Sequence, residues 1–331
     1  MTDNRPSERP AGVLAVTAAA TPLRYGYKTN INYLSAHGPD GSMRYYRIEQ
    51  GEEPSLLVED GSTAYDLTAT DPAPSSFLAL ASAASLTGGT VDDVASRLVE
   101  GAPAVELEAV ADDFVRPLDP DEVWGAGVTY AISQEARQEE GGLAEAYLSA
   151  YEGERPEVYF KATPSRTVGP GDAVGIRGDS EWDVPEPEMA IVLYGEEIVG
   201  FTVGNDVCSR DIERENLLYL PQSKTYARSC AIGPCVSTEE TVGDPLDLEM
   251  RMTIERDGAP VFEEATSTSE MVRTCEELVD FYTRYNEVPE LSVLLTGTSI
   301  IPPDGVTLRA DDRVSIEVEN IGTLENTVEQ L

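Results

Sequence analysis

The sequence predicts an α+β, β-rich protein, with a small N-terminal α+β domain over residues 43–118 and a larger, strand-dominated domain over residues 119–331. Three observations point there. A length of 331 residues suits about two domains. Helix and strand signals mix before residue 118, whereas from Glu122 onward short apolar runs mostly alternate with turn residues. A hydrophobic content of 41% with sustained periodicity sets the chain apart from a disordered acidic polymer.

Residues 1–42 stand outside this scheme. They hold Arg5, Arg9, Arg24 and Lys28 against Asp3, Glu8 and Asp40, a net charge of +1, which leaves −39 on the rest. The apolar run Ala11 to Ala20 behind Arg5 and Arg9 reads as a weak signal peptide, a flexible extension, or translated non-coding sequence ahead of a true start at Met43. The charge break favours the last. Met43-Arg-Tyr-Tyr-Arg-Ile48 then reads as a first strand, and Ser55 to Leu67 as a hairpin around Asp60-Gly61. A short helix is expected near Ser75–Ala84. Thr90-Val-Asp-Asp93 is a capping-box start for a second, which Gly101 closes. Arg116-Pro-Leu-Asp-Pro120 marks the boundary.

In the larger part, Glu135 to Ala150 is helix-prone but broken by Gly141-Gly142, as in a mobile lid. Val184 to Tyr194 reads as a strand turning at Gly195-Glu196 into a second, Ile198 to Asn205, which ends at Asp206. Ser267 to Tyr285 is expected as one helix, capped by Ser267-x-x-Glu270, with Met271, Cys275, Leu278, Val279 and Tyr282 on its apolar face. Val314, Ile316 and Val318 alternate as a late strand.

The net charge of −38 makes nucleic acid and anionic membrane surfaces poor partners, and its self-repulsion is tolerable only where salt screens it. Of 23 basic residues only Lys28, Lys161 and Lys224 are lysines. An acidic, lysine-poor surface fits a protein of a salt-accumulating microbe, and makes each remaining lysine informative. Cys208, Cys230, Cys235 and Cys275 lack metal-ligand spacing, and the sole histidine, His37, cannot complete a zinc site with them. Reduced thiols in a cytoplasmic protein are the expectation. No run approaches the ~18 apolar residues that read as a membrane span.

The chemistry concentrates between residues 157 and 224. Strand alternation puts Glu186 and Glu188 on one face, where two carboxylates repel unless a cation lies between them. Asp206 on the neighbouring strand adds a third hard oxygen ligand, a set that suits Mg²⁺ or Mn²⁺ better than zinc. On spacing alone, a solvated strand face is the commoner outcome in so acidic a chain.

The surroundings reverse that reading. Arg155-Pro-Glu-Val-Tyr-Phe-Lys161-Ala-Thr-Pro, Val168-Gly-Pro-Gly-Asp172, Glu186-x-Glu188, Gly200-Phe-Thr-Val-Gly-Asn-Asp206-Val-Cys-Ser-Arg-Asp211, Gln222-x-Lys224, Gly233-Pro234 and Thr296-Gly-Thr298 occur in an order and spacing that resemble the fumarylacetoacetate hydrolase superfamily. The resemblance implies the superfamily's mixed β-roll catalytic fold behind a smaller N-terminal domain. It implies Glu186, Glu188 and Asp206 as ligands of Mg²⁺ (or Mn²⁺), and a homodimer or homotetramer.

Hydrolytic members carry a His–Glu dyad in a lid segment. Here Ser133 stands at the histidine position and Ala136 at the glutamate, so the general base for water is missing. The lid, Arg155-Pro-Glu157 and Tyr219-Leu-Pro-Gln-Ser-Lys224 are most similar to the branch that dehydrates 2-keto-3-deoxy-pentonates. That branch implies conversion of 2-dehydro-3-deoxy-D-arabinonate (2-keto-3-deoxy-D-xylonate) to 2,5-dioxopentanoate by β-elimination. By resemblance Lys224 is the C3 base, its pKa lowered by burial and the cation, and Glu157 the acid for the leaving C4 hydroxyl. Thr298, Tyr130 and Ser133 are the expected substrate contacts. Arg210 is expected as a charge partner of the acidic cluster, Lys161 as structural, and Cys208 as a core residue. An acylpyruvate hydrolase or oxaloacetate decarboxylase using the same metal site is the alternative.

Overall fold

The computed structural model describes residues 42–50, 54–69, 75–131 and 148–331. The segments 1–41 and 132–147, with the expectations placed on them, lie outside the described residues. The Met43 run forms β1 (Met43–Ile48), paired with β2 (Ser55–Asp60). The predicted hairpin is present. β2 turns into β3 (Thr63–Asp66) through Gly61-Ser62, with Gly61 at φ +60, where glycine meets no Cβ penalty.

α1 (Phe77–Thr87) starts at Ser76, whose side chain accepts from the Ala79 N–H, and runs past Ala84 to a left-handed Gly88. α2 (Val91–Val99) opens on the predicted capping box, with Thr90 and Asp93 each accepting from the other's backbone, and closes at Glu100. The short strands β4 (Ala104–Val105) and β5 (Phe114–Val115) follow.

The remaining strands are β6 (Glu122–Gly127), β7 (Glu157–Ala162), β8 (Thr167–Val168), β9 (Ala173–Ile176), β10 (Asp183–Val184), β11 (Pro187–Tyr194) and β12 (Glu197–Asp206). After them come β13 (Cys208–Ser209), β14 (Cys230–Ser237), β15 (Glu249–Arg256), β16 (Ala259–Ser267), β17 (Leu291–Leu295), β18 (Arg313–Val318) and β19 (Gly322–Gln330). One mixed sheet runs β4-β3-β2-β1-β14-β12-β11-β17-β6-β7, with β5 on β1 and β8 on β14. It passes straight through residue 118, because β1 pairs antiparallel with β14. One core does the same: Leu56, Val58, Phe77 and Leu80 share a cluster with Val192, Ile232 and Leu295. A second sheet runs β16-β15-β18-β19-β9, and β10 pairs with β13.

The helix expected over Ser267–Tyr285 is shorter. Ser267 ends β16, opposite Glu249, and caps only the 3-10 turn Thr268–Glu270. Met271 bridges to Tyr130, and the α-helix runs from Cys275 to Thr283. The capping signal that prevails is Thr274-x-x-Glu277, with the Thr274 side chain accepting from the Glu277 N–H. Strand pairing had already claimed the backbone at Ser267. The predicted apolar residues Met271, Cys275, Leu278, Val279 and Tyr282 are buried all the same. Among the described residues no helix is long and apolar enough to cross a membrane.

Candidate active site

The hairpin of β11 and β12 assembles the acidic cluster. Its register runs from Tyr194 opposite Glu197 to Pro187 opposite Asn205, and the Asp206 N–H donates to the Glu186 carbonyl at 3.0 Å. Glu186, just before β11, Glu188 within it and Asp206 at the end of β12 are all buried. Ligand atoms from the three lie within 4.8 Å of one another. The predicted triad is therefore one cluster rather than a solvated face.

The donor set fits a hard divalent cation. Glu186 Oε1 is buried with no hydrogen-bond partner among the described residues, a costly condition unless something fills that lone pair. Burial raises the pKa of Glu186, and raises that of Glu188 strongly, with the charge of Asp206 adding to both. Three hard oxygen atoms, with no histidine among the described residues, match Mg²⁺ or Mn²⁺. The sequence reading missed how Glu188 is held. The backbone N–H of Gly297 donates to it, and Gly297 sits at φ +84, a left-handed value. A Cβ there would lie 2.2 Å from Thr129 Oγ1, so the Thr-Gly-Thr spelling was its sequence signal.

The two lysines of this lysine-poor region, Lys161 and Lys224, both reach the cluster, from β7 and from the helix Leu220–Lys224. Lys224 Nζ donates to Glu186 Oε2 at 2.6 Å and to Asp206 Oδ2 at 3.0 Å. Lys161, fully buried, pairs with Asp206 and donates to the carbonyls of Val207 and Lys224 at 2.8 and 2.6 Å. It fixes the helix end that carries Lys224, in keeping with a structural role. The expected lowering of the Lys224 pKa is corrected in one respect. Burial does oppose its charge, but the carboxylates of Asp206 and Glu186 outweigh burial and hold the ammonium well above its ordinary range. The net charge of Asp206 is secured in turn: burial works against it, while Lys161 and Lys224 bring its pKa below the usual value.

Glu157 begins β7 and Tyr159 follows two residues on, so both side chains leave the same face. Burial pushes the Glu157 carboxyl up to about 6, against the pull of Lys224. Tyr159 donates to Asp206 Oδ2 and was not singled out from sequence; its alternation with Glu157 was the available signal. A cavity of about 550 Å³ collects these groups. Glu157, Tyr159, Glu186, Glu188 and Lys224 line it, with Tyr130 and Thr298.

The other expected residues fall as follows. Tyr130 is buried, and its hydroxyl has no hydrogen-bond partner among the described residues. Thr298 Oγ1 accepts from the Ile300 N–H at 3.1 Å, an ordinary turn contact at the cavity wall. Ser133 lies outside the described residues. Arg210 pairs with the buried Glu213 at 2.7 Å, and its charge works against the burial that raises the Glu186 pKa, as expected of a charge partner of the acidic cluster. It also stands over the Trp182 ring, and Arg210, Glu213 and Trp182 line the cavity. Cys208 is buried, its thiol donating to Glu213 at 3.2 Å, with burial raising its pKa.

Known proteins resemble this chain in sequence and fold. The family model described as fumarylacetoacetate (FAA) hydrolase C-terminal matches residues 122–329. A Haloferax volcanii protein named "Probable 2-keto-3-deoxyxylonate dehydratase" is 54% identical over 286 residues, 86% of this chain and 99% of that protein. The Saccharolobus solfataricus "2-dehydro-3-deoxy-D-arabinonate dehydratase" is 43% identical over 222 residues, 66% of this chain and 74% of that protein. A solved structure, "2-keto-3-deoxy-D-arabinonate dehydratase complexed with magnesium and 2,5-dioxopentanoate", superposes with a TM-score of 0.75 at 33% identity. That comparison covers 87% of this chain and 99% of the solved one. With a clustered carboxylate triad on the fold those matches share, the chain belongs to the fumarylacetoacetate hydrolase family.

Proposed function

We propose that the chain is a Mg²⁺-dependent dehydratase that converts 2-dehydro-3-deoxy-D-arabinonate (2-keto-3-deoxy-D-xylonate) to 2,5-dioxopentanoate, in the cytoplasm and as a homodimer or homotetramer. The observation that carries the reading is the meeting of Lys224 and Glu157 with Glu186 and Glu188 in one cavity, with Asp206 clustered against those two glutamates. The names of the relatives and of the magnesium complex support the substrate and the metal.

Glu186, Glu188 and Asp206 would hold the cation, which when bound supplies Lewis-acid polarisation of a 2-oxo acid and neutralises the carboxylates that keep Lys224 protonated. Lys224, as a neutral amine, takes the proton from C3 of the substrate. Glu157, protonated, gives its proton to the C4 hydroxyl, which leaves as water. The C3–C4 double bond then moves to C4–C5 as one proton leaves C5 and one is returned to C3. The resulting enol takes a proton at C4 and loses its O–H proton to become the 5-aldehyde. The net change is the loss of one water, and no external oxidant is needed. Tyr130 and Thr298, at the wall, are assigned to hold the substrate, with Ser133 from the lid.

Hydrolysis of acylpyruvates is disfavoured because Ser133 and Ala136 occupy the dyad positions. The test is parallel incubation with the 2-keto-3-deoxy-pentonate, an acylpyruvate and oxaloacetate, with products resolved by mass. The expected product is 2,5-dioxopentanoate, lost in excess EDTA and restored by Mg²⁺ or Mn²⁺. Full turnover in EDTA, or faster decarboxylation of oxaloacetate than dehydration, would overturn the assignment.

A further inference from the structure

β6 carries glycine at alternate positions, Gly125 and Gly127, which places both on one face of the strand. The register sets Gly125 opposite Tyr159 and Gly127 opposite Glu157 on β7. A Cβ built on Gly127 would lie 2.0 Å from Glu157 Oε2 and 3.0 Å from its Cδ. One built on Gly125 would lie 2.6 Å from Tyr159 Cζ. Neither glycine is among those with positive φ, so backbone conformation does not require glycine at either place. The space does. The Glu157 carboxyl and the Tyr159 ring lie across β6, in the volume that side chains at these positions would fill.

We infer that Gly127 is a positioning residue for Glu157: its missing side chain lets the carboxyl bend across β6 into the cavity that Lys224 also faces. This rests on Glu157 acting as the acid. The atoms that a Cβ at 127 would meet are the free end of a flexible side chain, so alanine fits there by pushing the carboxyl aside while the strand pairing persists. At Gly125 the obstruction is a planar ring whose hydroxyl donates to Asp206, so alanine there disturbs a metal ligand instead. The two glycines thus divide the work, one placing the acid and the other the ligand's partner.

The test compares Gly127→Ala, Glu157→Gln and the double variant in the full chain with Mg²⁺. The substrates are the 2-keto-3-deoxy-pentonate and its 4-deoxy-4-fluoro analogue, whose fluoride departs without needing a proton. Gly127→Ala is expected to melt and bind Mg²⁺ like the parent, to lose roughly 10²-fold in kcat with a smaller change in KM, and to lose little on the fluoro analogue. The double variant should match Glu157→Gln, because the two changes act through one group. Near-parent dehydration by Gly127→Ala, an equal loss on the fluoro analogue, or additive losses would overturn the inference. If Gly127→Ala melts low, adding Glu157→Ala should restore the melt, and failure to do so also overturns it. A near-normal Glu157→Gln removes the acid role itself and this inference with it. An impaired Glu157→Gln beside a normal Gly127→Ala removes the positioning role alone.

Discussion

Lys224 and Glu157 face one cavity with opposed needs, since the proposed reaction uses the lysine neutral and the glutamate protonated. Asp206 and Glu186 hold the lysine charged against its burial, and burial pushes the glutamate up to about 6. The reactive pair and the resting pair (charged lysine, ionised glutamate) carry the same number of protons, so raising the pH through 6 does not remove the reactive form. Activity is lost on the other side, where both groups are protonated. The expected kcat/KM profile of the parent is therefore level above about 6 and falls as pH drops below it. Glu157→Gln should be slower, and its rate should rise with pH until Lys224 is deprotonated, because only that deprotonation then limits it. A Gln variant that keeps the parent's flat profile would exclude Glu157 as the acid. Lys224→Arg keeps the charge beside Glu186 and Asp206 but offers no titratable base, so the rate should fall roughly 10²–10⁴-fold. Mg²⁺ binding, read by calorimetry, should survive. Near-normal exchange of the C3 proton into D₂O by that variant would move the base elsewhere.

At the scale of elements, the site is built from two strand pairs and a turn. The β11/β12 hairpin sets the ligands, β6 and β7 set the acid, and Thr296-Gly297-Thr298 closes the cluster with one backbone donor. That turn is tied down at Thr296, whose hydroxyl donates to the Met189 carbonyl at 2.8 Å and whose carbonyl accepts from Thr129 at 2.5 Å. Gly297→Ala combines a left-handed φ with a crowded Cβ, and should destabilise the fold by about 2 kcal/mol or more. It should also weaken Mg²⁺ binding, since Glu188 loses its donor. Unchanged thermal stability together with parental calorimetric affinity for Mg²⁺ would show that the turn plays neither part. The shortened helix at Cys275–Thr283 teaches the same lesson in reverse. Ser267 carries a sound capping signal, but its backbone is already paired within a sheet.

At the scale of the molecule, charge and topology dominate. Residues 43–331 carry −39, and buried pairs such as Lys224 with Glu186 are shielded from solvent while the surface carboxylates are not. Screening by salt acts on the exposed charges, within a Debye length of about 3 Å at 1 M. Melting temperature and activity should therefore rise from dilute buffer to molar KCl. A melting temperature independent of salt over that range would contradict the adaptation read from the composition. One sheet and one core join residues 43–118 to the rest, so loss of β1 is expected to expose the β14 edge and not merely to remove an appendage.

The sequence by itself determined the features whose causes lie within a few residues. These include the hairpin at Gly61, the Thr90 capping box, the alternation of Glu186 and Glu188, and the rarity of lysine that drew attention to Lys224. It also carried the ordered motifs by which the family is recognised. Only the tertiary structure decided which distant groups share a cavity. Glu157 and Tyr159 reach the cluster because β7 pairs with β6 at glycines, a register no local pattern states. The protonation of Lys224 was likewise decided in three dimensions. Burial and neighbouring charge push its pKa in opposite directions, and only the 2.6 Å and 3.0 Å distances to Glu186 and Asp206 show which of the two prevails.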